Sequence, residues 1–130
     1  MQDKNEQIVA DFLQHREELG DDIMADVENM LGVKPFIFSA MRERPDTFVL
    51  SSLADYKTGR PDSLSPKTAE LIAIAAAAGA GADNCLKVHI RAAQKEGATR
   101  DEILDTIMIA AMMGKTKILA SALRLLPEDK

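Results

Sequence analysis

The uncharged, alanine-rich run from Leu71 to Ala82 is the feature that most constrains the fold of this chain. Alanine is the best helix former, and its small side chain lets neighbouring backbones approach closely. Ser65 and Pro66 precede the run and are typical of an N-cap and a first helical position. A glycine pair at 79 and 81 predicts a tight break before a second helix. We therefore expect two adjacent, closely packed helices at the centre of the fold.

The rest of the chain also shows helical periodicity, and no stretch alternates polar and apolar residues for long enough to be a strand. An apolar stripe predicts a helix from Glu6 to Leu19 that ends at Gly20, and shorter apolar stripes predict further helices up to about Lys57. The segment Gly59–Ser65 (GRPDSLS) is rich in turn formers and predicts a loop.

Two more helices are predicted after the central pair. Thr99 and Glu102 have the spacing of a capping box and start a helix that reaches about Met113. This helix is apolar on most sides, which predicts burial either in the core or in a contact between subunits. Gly114 is expected to break it, and a last helix follows from Thr116 to Leu126.

These patterns predict an all-α fold of about seven or eight helices in a single domain, residues 1–130. We expect an N-terminal helical arm, residues 1–62, and a core that carries the chemistry, residues 63–126. Several helices that are apolar on most sides are difficult to bury within 130 residues, so the sequence also predicts an oligomer.

Composition excludes several classes of function. A net charge of −5 without a basic cluster argues against nucleic acid as a partner. The single cysteine excludes an internal disulfide and favours a reducing, cytoplasmic location. The run from Leu71 to Ala82 is far shorter than the roughly 20 apolar residues that span a bilayer, so we expect no membrane insertion.

Three side chains are candidates for chemistry: Glu70, Cys85 and His89. Cys85 and His89 are four residues apart, so they share one face of a helix. The predicted helix, break and helix would fold Glu70 back toward them. A cysteine in the first helical turn lies near free backbone N–H groups and the positive end of the helix dipole, which favour the thiolate. His89 could then act as its base, with Glu70 orienting the imidazole.

Each candidate also has an interpretation that involves no catalysis. Cys85, among alanines, could be a small buried hydrophobe. His89 could be a hydrogen-bonded, partly buried histidine. Glu70, near the start of its helix, could be a surface charge that interacts with the helix dipole. Cys85 and His89 provide only two ligands, which is too few for zinc, so we expect no metal and no other cofactor.

The order Glu70, Cys85, His89, followed by RAAQKEGATRDEI and an apolar helix, resembles the carboxymuconolactone decarboxylase family, and within it the alkylhydroperoxidase D-like branch. The resemblance extends from about Ser65 to Leu126. The motif of that branch is a glutamate, eleven residues, Cys-x-x-Cys, three residues and a histidine. Three of its four positions are matched, and the first cysteine is replaced by Ala82.

The resemblance implies a thiol at Cys85, a proton-relay imidazole at His89 and an orienting carboxylate at Glu70. It also implies trimers or hexamers. With Ala82 in place of the first cysteine, a sulfenic acid on Cys85 would have to be resolved by an outside thiol or by Cys85 of another subunit.

Three hypotheses follow. The first is a thiol-dependent antioxidant enzyme, either a peroxidase or a disulfide reductase, that acts on a small-molecule hydroperoxide or a protein disulfide and uses an external thiol reductant. The second is a decarboxylase-type lyase acting on a small lactone carboxylate, with His89 as acid and base. The third is a non-catalytic helical oligomer. A carboxylate substrate would favour a nearby arginine, and the sequence offers only Arg91, on a face that we expect to be solvated.

Overall fold

The computed structural model describes residues 2–129, and within this range the chain is all-helical without a strand. This confirms the predicted all-α class and the predicted number of helices. The elements are α1 (Asp3–Leu13), α2 (Arg16–Leu31), α3 (Phe36–Met41), α4 (Pro45–Thr58), α5 (Pro66–Ala80), α6 (Asp83–Lys95), α7 (Arg100–Ala122) and a short 3-10 helix (Leu123–Leu125).

The described residues divide into two compact units, with the division between Thr58 and Gly59. The division coincides with the start of the predicted loop Gly59–Ser65. The first unit contains α1 to α4, and the second contains α5 to the 3-10 helix. The organisation of the whole chain as one domain stays a prediction.

The core of the first unit lies between α2 and α4. Ile23, Phe48 and Val49 are buried there. The ring of Phe38 meets the ring of Phe48 edge-on, with 5.8 Å between the centroids. This arrangement of aromatic rings is a favourable one and adds to the stabilisation from apolar burial.

The predicted helix end at Gly20 is wrong. The break lies earlier, because α1 ends at Leu13 and α2 begins at Arg16 and continues through Gly20. Gly20 is buried, and a Cβ atom at this position would lie 2.8 Å from Cζ of Arg42. The glycine therefore allows the close approach of a side chain and does not terminate the helix.

The second unit is arranged around α5, which packs against both α6 and α7. Its N-cap is formed as predicted: Ser65 Oγ accepts from the backbone N–H of Thr68 at 3.1 Å, and Pro66 is the first helical residue. Gly81 ends the helix in the left-handed conformation, with φ of 68°, which a glycine adopts without steric cost. The buried core of this unit is formed by Ile74, Ala93, Ala98 and Ile103.

The start of α7 is predicted correctly, but its predicted end is wrong. Thr99 and Glu102 form the capping box: Thr99 Oγ1 accepts from the N–H of Glu102, and the Glu102 carboxylate accepts from the N–H of Thr99. The helix then passes through Gly114 and continues to Ala122. A glycine inside a helix costs only about 1 kcal/mol relative to alanine, which is too little to end a helix whose other residues favour it.

The predicted burial of α7 in the core holds only for its first turns. Ile103 is buried, whereas large apolar side chains further along the helix are between 45% and 67% exposed. These side chains, which we call the α7 apolar face, are Met108, Ile109, Met112, Met113, Ile118 and Leu119. The core alternative is therefore wrong for this part of the helix, and the contact between subunits stays a prediction.

Candidate active site

Glu70 lies in the second turn of α5 and is only 4% exposed. Its Oε2 atom is 2.7 Å from Nδ1 of His89, and its Oε1 atom is 2.6 Å from Nη1 of Arg60. Each carboxylate oxygen therefore has a different nitrogen partner. The alternative that Glu70 is a surface charge at the helix end is wrong, because a buried carboxylate with two partners is held in a defined position.

His89 lies on α6, two turns after the start of that helix, with its side chain 36% exposed. The break after α5 brings α6 back along α5, so that the imidazole reaches the carboxylate of Glu70. Because a carboxylate only accepts, a neutral imidazole in this position carries its proton on Nδ1. The Nε2 atom is then the basic nitrogen that can accept a proton in a reaction.

Cys85 lies in the first turn of α6 and is exposed. The interpretation as a small buried hydrophobe is therefore wrong. Cys85 and His89 share one helix face. Among the described residues, 2–129, no hydrogen bond joins Sγ of Cys85 to the imidazole of His89. The N-cap residue of α6 is Ala82, which provides no side-chain cap. The backbone N–H groups of this first turn thus remain available to a negative charge near Cys85.

Arg60, Glu70 and His89 form a cluster of side chains joined through the Glu70 carboxylate. The sequence did not reveal Arg60 as a member of this cluster. Arg60 lies in the loop before α5 and is 41% exposed. Its Nη1 atom also donates to the carbonyl oxygen of Gly59 at 2.8 Å, and its Nη2 atom is 3.9 Å from Oε1 of Glu96. The one available signal was that Arg60 is the only basic residue in the turn-rich segment GRPDSLS.

The buried carboxylate of Glu70 lies between the guanidinium group of Arg60 and the imidazole of His89. A buried carboxylate is costly unless it is paired and hydrogen-bonded. Arg60 places a permanent positive charge beside Glu70, and this charge is independent of His89. The arrangement can therefore orient an imidazole while that imidazole gains and loses a proton.

The described residues contain no cluster of three or more His, Cys, Asp or Glu side chains suited to a metal ion. None of the helices in the described part of the chain has the length and apolar character needed to cross a membrane.

Comparison with known proteins gives two matches. A model of the carboxymuconolactone decarboxylase family matches residues 49–128. A protein of Paracoccus denitrificans, described as "Uncharacterized protein 4 in cox locus", is 34% identical over 68 residues. That alignment covers 52% of this chain and 59% of the relative, so the chain spans less than two thirds of the relative's length. No solved structure gives a significant match.

Proposed function

The chain belongs to the carboxymuconolactone decarboxylase family, and on this premise we propose that it is a thiol-dependent antioxidant enzyme. Cys85 is the residue that reacts, and His89 and Glu70 relay protons to and from it. The observation that carries the proposal is the 2.7 Å contact between Glu70 Oε2 and His89 Nδ1, one helical turn from an exposed thiol. A base oriented by a third group, close to a nucleophile, is the arrangement that activates a nucleophile in many enzymes.

The first step is the reduction of a hydroperoxide. The Cys85 thiol gives its proton to Nε2 of His89, and the resulting thiolate attacks the terminal oxygen of the hydroperoxide. An S–O bond forms and the O–O bond breaks, so that Cys85 becomes a sulfenic acid. The departing alkoxide takes the proton from His89 and leaves as an alcohol. Because Cys85 and His89 do not hydrogen-bond directly, the proton passes through the substrate or one water molecule.

An external thiol completes the cycle, because Ala82 stands where the related enzymes have their first cysteine. The first thiol molecule condenses with the sulfenic acid, which releases water and leaves a mixed disulfide on Cys85. A second thiol attacks this disulfide and restores the Cys85 thiol. The net reaction converts one hydroperoxide and two thiols into an alcohol, water and a disulfide. The exposed position of Cys85 supports this route, since a separate reductant must reach the sulfur.

The lyase alternative has less support from the geometry. A lactone carboxylate would favour a cation beside His89, and the arginine that shares the partner Glu70 with His89 is Arg60. Its two terminal nitrogens already lie against Glu70 and Glu96. A thiol reaction needs no such cation, so the cluster fits the thiol chemistry better.

The test of the proposal is the substitution Cys85→Ser, assayed by consumption of an alkyl hydroperoxide in the presence of a small dithiol. We expect wild-type protein to consume the hydroperoxide and the variant to lose this activity completely, because a serine hydroxyl cannot be oxidised to a sulfenic acid. Retained turnover in the variant would remove the proposal. Carbon dioxide release from a carboxymuconolactone that survives the substitution would support the lyase alternative instead.

We also expect the protein to act as a homo-oligomer, a trimer or a hexamer, assembled through the α7 apolar face. Soluble monomers rarely expose contiguous apolar patches of more than a few hundred Å². Six large apolar side chains are at least 45% exposed on this single helix. Copies of the same chain that cover this surface would remove it from water.

A further inference from the structure

Arg60 has no role in the motif that the sequence revealed, although it touches the buried carboxylate of the cluster. We propose that Arg60 is a positioning residue that holds Glu70 in the orientation in which Oε2 receives the Nδ1 proton of His89. This inference rests on the proposed function, since it assigns a further residue to the same proton relay.

The argument begins with the two oxygens of Glu70. Both belong to a side chain that is 5% exposed, so neither can exchange its partner for bulk water without a movement of the side chain. Arg60 holds Oε1 at 2.6 Å, and this contact leaves Oε2 directed at His89. Without Arg60, Oε1 would be a buried acceptor with no donor, which is a costly arrangement. Glu70 would then rotate toward another donor, and this rotation weakens its bond to His89.

The position of Arg60 is itself defined by several contacts. Its Nη1 atom also donates to the carbonyl oxygen of Gly59, and its Nη2 atom lies 3.9 Å from Glu96 at the end of α6. The guanidinium group therefore connects the loop before α5, the buried carboxylate on α5 and the end of α6. A planar fork with several donors suits this task better than a single ammonium group.

The experiment compares Arg60→Ala, Arg60→Lys and a matched control, Lys67→Ala. Lys67 forms a similar ion pair in the same unit, 3.0 Å from Glu102, with 39% of its side chain exposed, but the pair lies outside the cluster. Two readouts are recorded for each protein. The first is the steady-state rate of hydroperoxide consumption, and the second is the ¹⁵N NMR signal of the His89 ring, which reports which ring nitrogen carries the proton.

We expect kcat to fall at least about tenfold in Arg60→Ala, the lower end of the losses seen when the hydrogen-bond partner of a metal-ligating histidine is removed. KM for the hydroperoxide should change little, because the role proposed for Arg60 uses its contacts with protein groups and none with the substrate. The fraction of His89 with its proton on Nδ1 should fall as well. Arg60→Lys should recover part of both losses, since an ammonium group can still donate to one carboxylate oxygen. Lys67→Ala should leave both readouts as in the wild type.

Three results would overturn the inference. The first is an Arg60→Ala variant that keeps the wild-type kcat and the wild-type His89 signal. The second is an equal loss in Lys67→Ala, which would indicate general destabilisation. The third is an unchanged Nδ1–H signal despite lost turnover. If wild-type protein consumes no hydroperoxide, the proposed function fails, and the His89 signal alone still decides the role of Arg60.

Discussion

The substitution Glu70→Gln tests the relay most directly, because it keeps the shape of the side chain and removes its charge. A glutamine offers one acceptor oxygen and one NH₂ donor in place of two acceptor oxygens. Arg60 can only donate, so the amide oxygen is expected to face Arg60. The NH₂ group then faces His89, and Nδ1 must become an acceptor. The ring proton consequently moves to Nε2, and the nitrogen that should accept the thiol proton becomes a donor.

The expected cost in stability is modest. Hydrogen bonds to charged groups contribute about 1.5–3 kcal/mol each, and neutral ones about 0.5–1.5 kcal/mol. Glu70 loses its charge in both contacts, but Arg60 and His89 are 41% and 36% exposed and can be hydrated in compensation. The penalty of burying a carboxylate also disappears. We therefore expect the free energy of unfolding to fall by about 1–2 kcal/mol, so the variant should fold.

The expected cost in activity is much larger. General acid–base catalysis contributes about 10²–10⁴-fold to a rate. A comparable exchange of carboxylate for amide in a serine protease triad lowers kcat by about 10⁴-fold through the wrong tautomer. His89 does not hydrogen-bond Cys85 directly, so part of the proton transfer can bypass it. We therefore expect a loss of roughly 10²–10³-fold in hydroperoxide turnover.

Three measurements check this prediction: urea denaturation for stability, steady-state hydroperoxide consumption for activity, and the ¹⁵N signals of the His89 ring for the tautomer. Glu102→Gln is the matched control, since it makes the same chemical change at a carboxylate on α7 outside the cluster. A Glu70→Gln protein that folds and retains turnover within about threefold of wild type would refute the relay, because the predicted loss is at least 10²-fold.

Two further predictions concern the assembly and the capping box. Ile118→Glu places a charge on the α7 apolar face at a side chain that is 67% exposed. The affinity between subunits should fall by at least about tenfold, because burial of an isoleucine contributes about 1.5–3 kcal/mol. The stability of the monomer should not be lowered. Sedimentation analysis checks the affinity, and an unchanged subunit count would contradict this prediction. The pKa of Glu102 is lowered from its usual 4.5, first by the hydrogen bond from the backbone N–H of Thr99 and then by Lys67. The resulting stabilisation is present above pH 4.5 and is lost as the pH falls through the lowered pKa. The stability difference between wild type and Glu102→Gln should therefore shrink in acid, as measured by urea denaturation, and a constant difference would exclude this origin.

The sequence was sufficient for features that depend on local interactions. The caps at Ser65 and Thr99 lie at the predicted positions because each bond joins atoms only three residues apart. The all-α class followed from periodicity, since the spacing of apolar residues must match the helix that buries them. The contact of Glu70 with His89 was predicted for a related reason. A short break at Gly81 allows two successive helices to separate only a little, so they lie side by side.

The sequence misled where a glycine has more than one possible role. Gly20 and Gly114 were both expected to interrupt helices, and both lie inside one. Gly20 accommodates the side chain of Arg42, a contact between residues that are distant along the chain. From the sequence, a glycine that ends a helix cannot be told apart from a glycine that makes room for a neighbouring side chain. Only the packing of the surrounding elements distinguishes the two roles.

The chain by itself determined the all-α class, the caps at Ser65 and Thr99, and the spacing that places a thiol and an imidazole on one face of α6. These features depend on neighbours within a few residues. The tertiary structure alone decided that Glu70 is buried, that Cys85 is exposed without a bond to His89, and that Arg60 closes the cluster. The path of a loop and the burial of a side chain depend on every element packed around them. The guanidinium of Arg60 reaches the carboxylate of Glu70 only because the chain between them turns back.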